Sequence, residues 1–478
     1  MKKVLSVLLV LAMVFGLAAC GGKKNEDTVK AMTYQEYMAA AEEAKVVVEG
    51  YLQGYAYSSQ YNNVSMFIQD DNGAYYAYRA DCTAEQAKSL AEGAHVRVTG
   101  NKGSFRGEIE VQEHCTFEVL SGTKVYPAAD VTASLADNAA LQAKMNQKVA
   151  VKGLVVENIY DGDGKGASFL YNWDGSGQAG ANNDVYFNAS SNGKTYNFVV
   201  ESDEFAEGSD TYKAATALKV GDVIDIEAFM YWYDGPNMHV SKFTTTKASK
   251  TAAKSAGTMS YAEYTSAAVD APVVIEGYVQ GITAYNAQYN NFNVYLADEE
   301  GSYYAYGVAA SQEDYNKITK GALLKIKGFK GAYHDMPEVA QGAAFELLDG
   351  YYVAPVVNAT DKLGDTEAMK SIIASKVLLK GLTVVASKVQ DDPADYPFLY
   401  NWNGTGSAGS NSDVYFKVAA ADGKEYSIVV ESDEQPEGSE VYTAATGLNI
   451  GDQIDLTCFI YWYDAPDLHA QSITLLRK

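Results

Sequence analysis

Apolar and polar residues alternate in short segments along most of the chain, and this pattern predicts strands rather than long helices. In the first such region, the turn Asp71-Asn72-Gly73 separates two of these segments. Asn-Gly favours the positive φ angles of a tight hairpin turn, so the two segments are expected to pair. The alternation predicts strands at 46–55, 64–70, 74–79, 95–100 and 108–120, with a helix at 83–91.

A second region repeats this plan. An alanine-rich helix is predicted first, and strands follow it. The predicted ranges are 134–145 for the helix and 149–156, 169–173, 184–187, 195–200, 220–226 and 238–246 for the strands. A short helix is also predicted before the strand at Val46 and before the matching strand at Val273. Thr33 with Glu36 and Ser260 with Glu263 have the capping-box spacing at the start of these helices.

From Met32 onward the chain contains two copies of one longer plan. The segment VVVEGYLQG at Val46 matches VVIEGYVQG at Val273, 227 positions later, whereas YWYDGPNMH at Tyr231 matches YWYDAPDLH at Tyr461, 230 positions later. The drift marks single-residue insertions, which loops absorb more easily than strands. A repeat of this length indicates a duplicated pair of domains, not a solenoid. All four tryptophans fall into matched pairs, Trp173 with Trp402 and Trp232 with Trp462.

The first unit has the element order β-β-β-α-β-β. Its landmarks are the opening strand VVVEGYLQG at Val46, the DDNG hairpin at Asp70 and the helix-to-strand stretch AEGAHVRVTG at Ala91, which KGALLKIKG at Lys320 matches in the second copy. This order resembles the OB-fold, a five-stranded Greek-key barrel with a helix between its third and fourth strands. The resemblance implies a mainly β protein of four OB-like five-stranded Greek-key barrels, each with short helices, arranged as two duplicated pairs. A pair of larger β-sandwiches is the competing fold.

The N-terminal segment has the pattern of a secretory signal. Lys2 and Lys3 precede an apolar run at 4–17 that is too short to span a membrane. The LAAC that ends at Cys20 resembles the lipobox of bacterial lipoproteins, whose cysteine is diacylated and becomes the first residue of the mature chain. The resemblance implies a lipid anchor on Cys20 and a location at the cell membrane, on its extracytoplasmic face. An ordinary signal peptide near a chance cysteine is the alternative.

The patterns together predict a domain organisation. The stretch between the copies is rich in Ala, Ser, Lys and Thr, so it is expected to be a short, polar, flexible linker. The expected ranges are 1–19 for the signal peptide, 20–31 for the lipidated tether, 32–122 and 123–247 for the first two barrels, 248–258 for the linker, and 259–350 and 351–478 for the last two barrels.

Charge and cysteine content narrow the possible partners. With 37 basic and 61 acidic residues the formal net charge is -24, which repels phosphate backbones and disfavours nucleic acid as a partner. Beyond the lipobox, Cys82, Cys115 and Cys458 have no counterparts between the copies, and an odd number cannot form a full disulfide framework. A disulfide bridge between Cys82 and Cys115 is the alternative, although buried free thiols are favoured. No metal site or cofactor is expected. The acidic segment DGDGKG at Asp161 is predicted to be a solvated turn, with a calcium loop as the alternative.

Two repeated aromatic motifs are the candidate binding site. A glycine-rich loop lies in FLYNWDGSGQAG at Phe169, and YWYDGPNMH at Tyr231 places successive aromatics on opposite strand faces. Indole rings can stack on sugar rings while amides and carboxylates bind hydroxyls. Filling of the barrel cores is the alternative role for these aromatics. The candidate ligand-binding residues are Trp173, Asn172, Asp174, Trp232, Asp234 and His239, with Trp402, Asn401, Trp462, Asp464 and His469 in the second copy.

No catalytic motif is found, so the protein is not expected to be an enzyme. Glu201 and Asp203, matched by Glu431 and Asp433, could in principle perform glycosidase chemistry, but a solvated turn is favoured for them. The sequence predicts an extracytoplasmic, lipid-anchored binding or scaffold protein, with a glycan or another neutral polar molecule as ligand. The alternatives are a structural or protein-protein interaction module of a surface complex, and an accessory nucleic-acid-binding protein.

Overall fold

The computed structural model describes residues 30–389 and 392–477, so the predicted signal peptide and the lipidation site at Cys20 lie outside the described residues. The described chain is mainly β, and its strand pairings run in four rings of five strands. In each ring the first strand pairs with both the second and the fourth, and the third strand runs parallel to the fifth. These are Greek-key barrels of the OB type, as predicted.

The first barrel closes in the order β1-β2-β3-β5-β4-β1. Its elements are α1 (Tyr34–Ala39), β1 (Lys45–Ser58), β2 (Asn63–Gln69), β3 (Ala74–Asp81), α2 (Ala84–Ala87), β4 (Ala94–Phe105), β5 (Glu108–Val111) and β6 (Thr116–Thr123).

The second barrel closes in the order β8-β12-β13-β15-β14-β8. Its elements are β7 (Ala129–Asp130), a 3-10 turn (Thr132–Ser134), α3 (Asn138–Gln142), β8 (Lys148–Glu157), β9 (Ile159–Tyr160), β10 (Gly166–Ala167), β11 (Leu170–Tyr171), β12 (Val185–Ser191), β13 (Lys194–Val200), α4 (Asp210–Thr216), β14 (Val223–Trp232) and β15 (Pro236–Lys247).

The second copy repeats both barrels, in the orders β16-β17-β18-β20-β19-β16 and β23-β25-β26-β28-β27-β23. The third barrel contains α5 (Tyr261–Ser266), β16 (Pro272–Ile282), β17 (Asn291–Ala297), β18 (Ser302–Ala309), α6 (Gln312–Tyr315), β19 (Ala322–Tyr333), β20 (Met336–Val339) and β21 (Ala344–Tyr351). The fourth contains β22 (Val357–Asn358), a 3-10 turn (Thr360–Lys362), α7 (Thr366–Lys370), β23 (Lys376–Val385), β24 (Leu399–Tyr400), β25 (Val414–Ala419), β26 (Glu425–Val430), α8 (Glu440–Thr446), β27 (Gln453–Trp462) and β28 (Pro466–Arg477).

The local signals in the sequence locate some elements better than others. Both predicted capping boxes are present, at Thr33 and Ser260. The strand predicted at 108–120 is divided between β5 and β6, because the chain turns at His114, whose φ is 64°. This turn lets β5 pair with both β3 and β4, which closes the barrel.

The barrels of each pair share an aromatic contact. Phe67 of the first barrel stacks on Phe229 of the second, with ring centroids 4.3 Å apart, and Tyr295 stacks on Phe459 at 4.0 Å in the second copy. Gly54 lies beside the Phe229 ring, where a side chain would collide with it. Since these rings are buried, each pair of barrels packs as one unit.

A buried polar contact joins the first two barrels as well. Both carboxylate oxygens of Glu108 are used, because the Asn146 side chain donates to one at 2.6 Å and the Trp232 backbone N–H donates to the other at 2.9 Å. Burial raises the pKa of Glu108 to about 8. In the second copy Met336 occupies the position of Glu108 and Ala374 that of Asn146, so an apolar contact replaces this polar one.

The linker between the copies is docked, so the prediction of a flexible linker was wrong. The Ser255 backbone N–H donates to Glu276 at 2.9 Å, and the Ala252 N–H donates to the Tyr278 hydroxyl at 2.6 Å. Lys254 forms an ion pair with Asp298 at 2.9 Å. These contacts hold the polar segment against the third barrel, and composition alone did not reveal them.

The described cysteines are buried and unbridged. Cys82, Cys115 and Cys458 all carry free thiols, so the alternative of a bridge between the first two is not realised. Burial raises the pKa of Cys115 to about 12, which keeps this thiol protonated and unreactive at neutral pH.

Candidate ligand cleft between the first two barrels

A cleft of about 1140 Å³ lies between the first and second barrels, and we call it the first cleft. The first barrel contributes residues of β2 and β3 and the loop between β1 and β2, whereas the second contributes residues of β12, β13 and β15. OB-folds bind oligonucleotides and oligosaccharides on the face of their second and third strands and on the neighbouring loops. The faces of two barrels that correspond to the ligand-binding face of OB-folds therefore open into one cavity. Its volume exceeds the roughly 300–1,000 Å³ of ordinary small-molecule pockets.

Trp173 projects from the long loop between β8 and β12 and is 75% exposed while it lines the cleft. Its neighbours shape the loop. Asn172 has a φ of 59°, and the Asp174 carboxylate accepts the Ser176 N–H at 3.0 Å. At Gly175, where φ is 77°, a Cβ would lie 2.7 Å from the Cβ of Asp161. The predicted ligand residues Asn172 and Asp174 therefore hold the turn that presents the indole ring.

Further aromatic side chains surround the cavity. Tyr61 at the tip of the β1–β2 loop and Tyr233 at the β14–β15 turn are both exposed and line it. Tyr78 and Tyr186 line it from β3 and β12. Rings with one open face and a hydroxyl at the edge suit a ligand that has both apolar and polar surfaces.

His239 and two glutamates form a polar cluster at the floor of the cleft. The Nδ1–H of His239 donates to Glu204 Oε1 at 2.8 Å, and its Nε2 lies 3.7 Å from Glu201 Oε1. Burial by itself would lower the pKa of His239, but the carboxylates of Glu204 and Glu201 outweigh it and raise the pKa to about 9. The imidazole is therefore charged at neutral pH. Burial also raises the pKa of Glu201 to about 7.

The two tryptophans of the first copy do not share a ligand face. Trp232 is 9% exposed and packs in the core of the second barrel, while Tyr231 packs edge-on against Tyr76 of the first barrel and Tyr233 reaches the surface. This follows from strand alternation, which puts neighbours on opposite faces. The combined stacking of Trp173 and Trp232 on one ring is therefore not possible in this arrangement, and the core role weighed for Trp232 is the observed one.

Asp234, another predicted ligand residue, forms contacts that join the two barrels. Its carboxylate pairs with Arg106, and its backbone N–H donates to the Arg106 carbonyl at 2.7 Å. Of the predicted residues, Trp173 and His239 are brought together in the first cleft.

The second copy places its equivalent residues in similar positions. Trp402 is 74% exposed, next to Asn401 with a φ of 57°, and Trp462 is 2% exposed in the barrel core. Asp464 pairs across the barrels with His334, whose Nδ1 lies 2.8 Å from the carboxylate. His469 differs from His239, because its Nδ1 bonds to the Tyr295 hydroxyl at 3.2 Å and burial lowers its pKa to about 3.

Several residues of the cleft were missed from the sequence. Glu204 is 9% exposed in its ion pair with His239. Of the two residues expected in a solvated turn, Asp203 is exposed, whereas Glu201 is partly buried beside His239. The repeated ESDE at Glu201 and Glu431 was the available signal, since an acidic segment that recurs beside a buried strand can face a site. Tyr61 and Arg79 come from the first barrel, and only the docking of the barrels brings them to Trp173.

Among residues 30–389 and 392–477, no cluster of three or more His, Cys, Asp or Glu side chains could hold a metal ion. No helix in the same part of the chain has both the length and the apolar character needed to cross a membrane.

The fold and the cleft define a tandem OB-fold protein in which one pair of barrels occurs twice. No protein-family model matches the chain, and no curated protein is a significant match. Among solved structures, a murine DNA-binding protein bound to double-stranded DNA aligns at 10% identity over 43% of this chain and 100% of its own, with a TM-score of 0.17. A replication protein A heterotrimer bound to single-stranded DNA aligns at 10% identity over 69% of this chain and 94% of its own, with a TM-score of 0.16. Likenesses this weak carry no argument about the ligand of this chain.

Proposed function

We propose that this chain is a lipid-anchored, extracytoplasmic binding protein whose ligand is a saccharide held in the first cleft. The observation that carries the proposal is the position of Trp173. Its indole ring is exposed and stands at the edge of a cavity lined by polar side chains, on the side where OB-folds bind ligands.

The chemistry of the lining supports a sugar. A pyranose ring has an apolar face that can stack on Trp173 or Tyr61, and its hydroxyls need donors and acceptors around the edge. The side-chain amides of Asn182 and Asn237 line the cleft and can offer donors. The Asn197 amide, whose N–H groups already donate to Phe187 and Asn188, can offer its oxygen as an acceptor. The size of the cavity suits a chain of several sugar units.

The two alternatives are supported less well. Packing of the two copies on each other through the aromatic anchors would bury them, but Trp173 and Trp402 are both exposed in the described chain. Nucleic acid would meet a net charge of -24 and the carboxylates of Glu201 and Asp203 inside the cleft.

A glycan array with the full mature chain tests the proposal, using Trp173→Ala as the variant. We expect the wild type to retain a defined set of saccharides and Trp173→Ala to bind them at least about tenfold more weakly, since losing a stacking anchor costs on the order of 2 kcal/mol. Trp402→Ala is the matched control for an equally exposed indole. Failure to bind any saccharide, or salt-dependent retention of a single-stranded oligonucleotide instead, would overturn the proposal.

The lipid anchor is a separate part of the proposal and rests on the LAAC sequence that ends at Cys20. Labelling of cells with a palmitate analogue should mark the wild-type protein, and Cys20→Ala should abolish the label. A labelled Cys20→Ala protein would contradict acylation at this cysteine.

A further inference from the structure

Arg79 is a cation of the first cleft that the saccharide proposal does not use. It is exposed, it lines the cavity, and no carboxylate among the described residues forms an ion pair with it. Its guanidinium carbon lies 4.8 Å from the centroid of the Tyr78 ring, which also lines the cleft. The backbone is fixed as well, because the Arg79 N–H donates to the Ser65 hydroxyl at 3.2 Å and φ is 47°.

The other charges in the cleft leave Arg79 available for a ligand. Three acidic side chains line the cleft. Glu204 is already paired with His239, Glu201 lies near the same imidazole, and Asp203 forms no ion pair with Arg79. Lys194 lines the cavity from the second barrel and adds a second cation to its lining. A ligand that enters the cleft therefore meets an exposed guanidinium in a protein whose overall charge is strongly negative.

The equivalent surface of the third and fourth barrels lacks this cation. Gly307 replaces Arg79, which removes one positive charge, and Asp467 replaces Asn237, which adds one carboxyl group. The His469 ring bonds to the Tyr295 hydroxyl in place of a carboxylate. The two copies have therefore kept the exposed tryptophan while changing the charge around it.

We propose that the first cleft recognises a saccharide that carries a carboxylate, as uronic acids do, and that Arg79 binds this carboxylate. The inference rests on the proposed function and adds the ligand class. A guanidinium matches the two oxygens of a carboxylate in a fork, and such charge-assisted pairs are stronger than neutral hydrogen bonds. The second copy, with Gly307 and Asp467, does not share this preference.

The test is calorimetric titration of the full mature chain with oligogalacturonate and with glucuronic-acid-containing oligosaccharides, each paired with its carboxyl-reduced counterpart. The wild type should bind the acidic member of a pair at least about tenfold more tightly, which is the effect of one charged hydrogen-bonded contact. Arg79→Gly, which installs the residue of the second copy, should remove this preference and leave the affinity for the neutral member within about twofold.

Two controls separate the outcomes. Lys88→Ala removes one positive charge outside the cleft and should leave the preference unchanged, whereas Arg79→Lys keeps the charge without the fork and should retain only part of it. Equal binding of acidic and neutral members by the wild type, or an unchanged preference in Arg79→Gly, overturns this inference while the saccharide proposal stands. Absence of binding to both members and to the glycan array overturns the proposed function itself.

Discussion

The Nδ1 of His239 lies 2.8 Å from the Oε1 of Glu204, whereas the Nδ1 of the equivalent His469 lies 3.2 Å from the hydroxyl of Tyr295. The difference follows from a substitution in the neighbouring barrel, because Phe67 occupies the position of Tyr295 and has no hydroxyl to offer. Glu434, the counterpart of Glu204, instead accepts the Gln471 amide at 2.8 Å. The residue at the position of Phe67 in one barrel thus determines whether the histidine of the neighbouring barrel pairs with a carboxylate.

Phe67→Tyr is expected to lower the pKa of His239 from about 9, because the new hydroxyl competes with Glu204 for Nδ1. The histidine resonances followed by NMR across pH give this pKa directly. Tyr295→Phe is the reciprocal variant and should raise the pKa of His469. An unchanged His239 titration in a folded Phe67→Tyr protein would show that the neighbouring ring does not control the pair.

The stability of the first barrel pair should fall as the pH rises from about 6 to 9. The folded pKa values of Glu108, at about 8, and His239, at about 9, lie above the ordinary values of these groups, so their stabilising contributions are lost as the pH rises through them. Hydrogen exchange of β5 and β14 at pH 6 and pH 9 measures this local opening. Equal protection at both pH values would contradict it.

The Glu108–Asn146 pair should behave as a coupled unit. Glu108→Met alone leaves a buried amide without its acceptor and should destabilise the barrel contact by roughly 1–3 kcal/mol. Adding Asn146→Ala installs the Met336 and Ala374 arrangement of the second copy and should recover much of the loss. Denaturant unfolding of both single variants and the double variant gives the coupling free energy between the two side chains. Purely additive changes in the free energy of unfolding would contradict the prediction.

The exposed and buried tryptophans should separate binding from stability. Trp232→Ala removes a core side chain and should cost on the order of 3–5 kcal/mol, whereas Trp173→Ala should change the free energy of unfolding by less than about 0.5 kcal/mol. Thermal unfolding of the two variants checks the difference. A large loss of stability in Trp173→Ala would mean that its loop supports the barrel.

Release of the linker should follow the loss of Glu276. Glu276→Ala removes the acceptor of the Ser255 N–H, so trypsin should cleave after Lys250 or Lys254 faster than in the wild type. Glu49→Ala is the matched control, because Glu49 is the equivalent residue of the first copy and pairs with Arg97. Equal cleavage rates in the two variants would show that Glu276 does not hold the linker.

Local patterns predicted the barrels well because strand alternation, Asn-Gly turns and capping boxes act over a few residues. The same alternation placed Trp232 and its tyrosine neighbours on opposite faces but could not say which face is the core. The docked linker and the Glu204–His239 pair escaped prediction because their partners are far apart in sequence.

The sequence by itself determined the duplication, the four five-stranded units and the paired tryptophans, because each depends on short local motifs that occur in both copies. Only the tertiary structure decided that Trp173 faces a cleft while Trp232 fills a core, and that Arg79 lines the same cleft as Trp173. The physical reason is the stacking of Phe67 on Phe229, a contact between two barrels that brings the surfaces around Arg79 and Trp173 together.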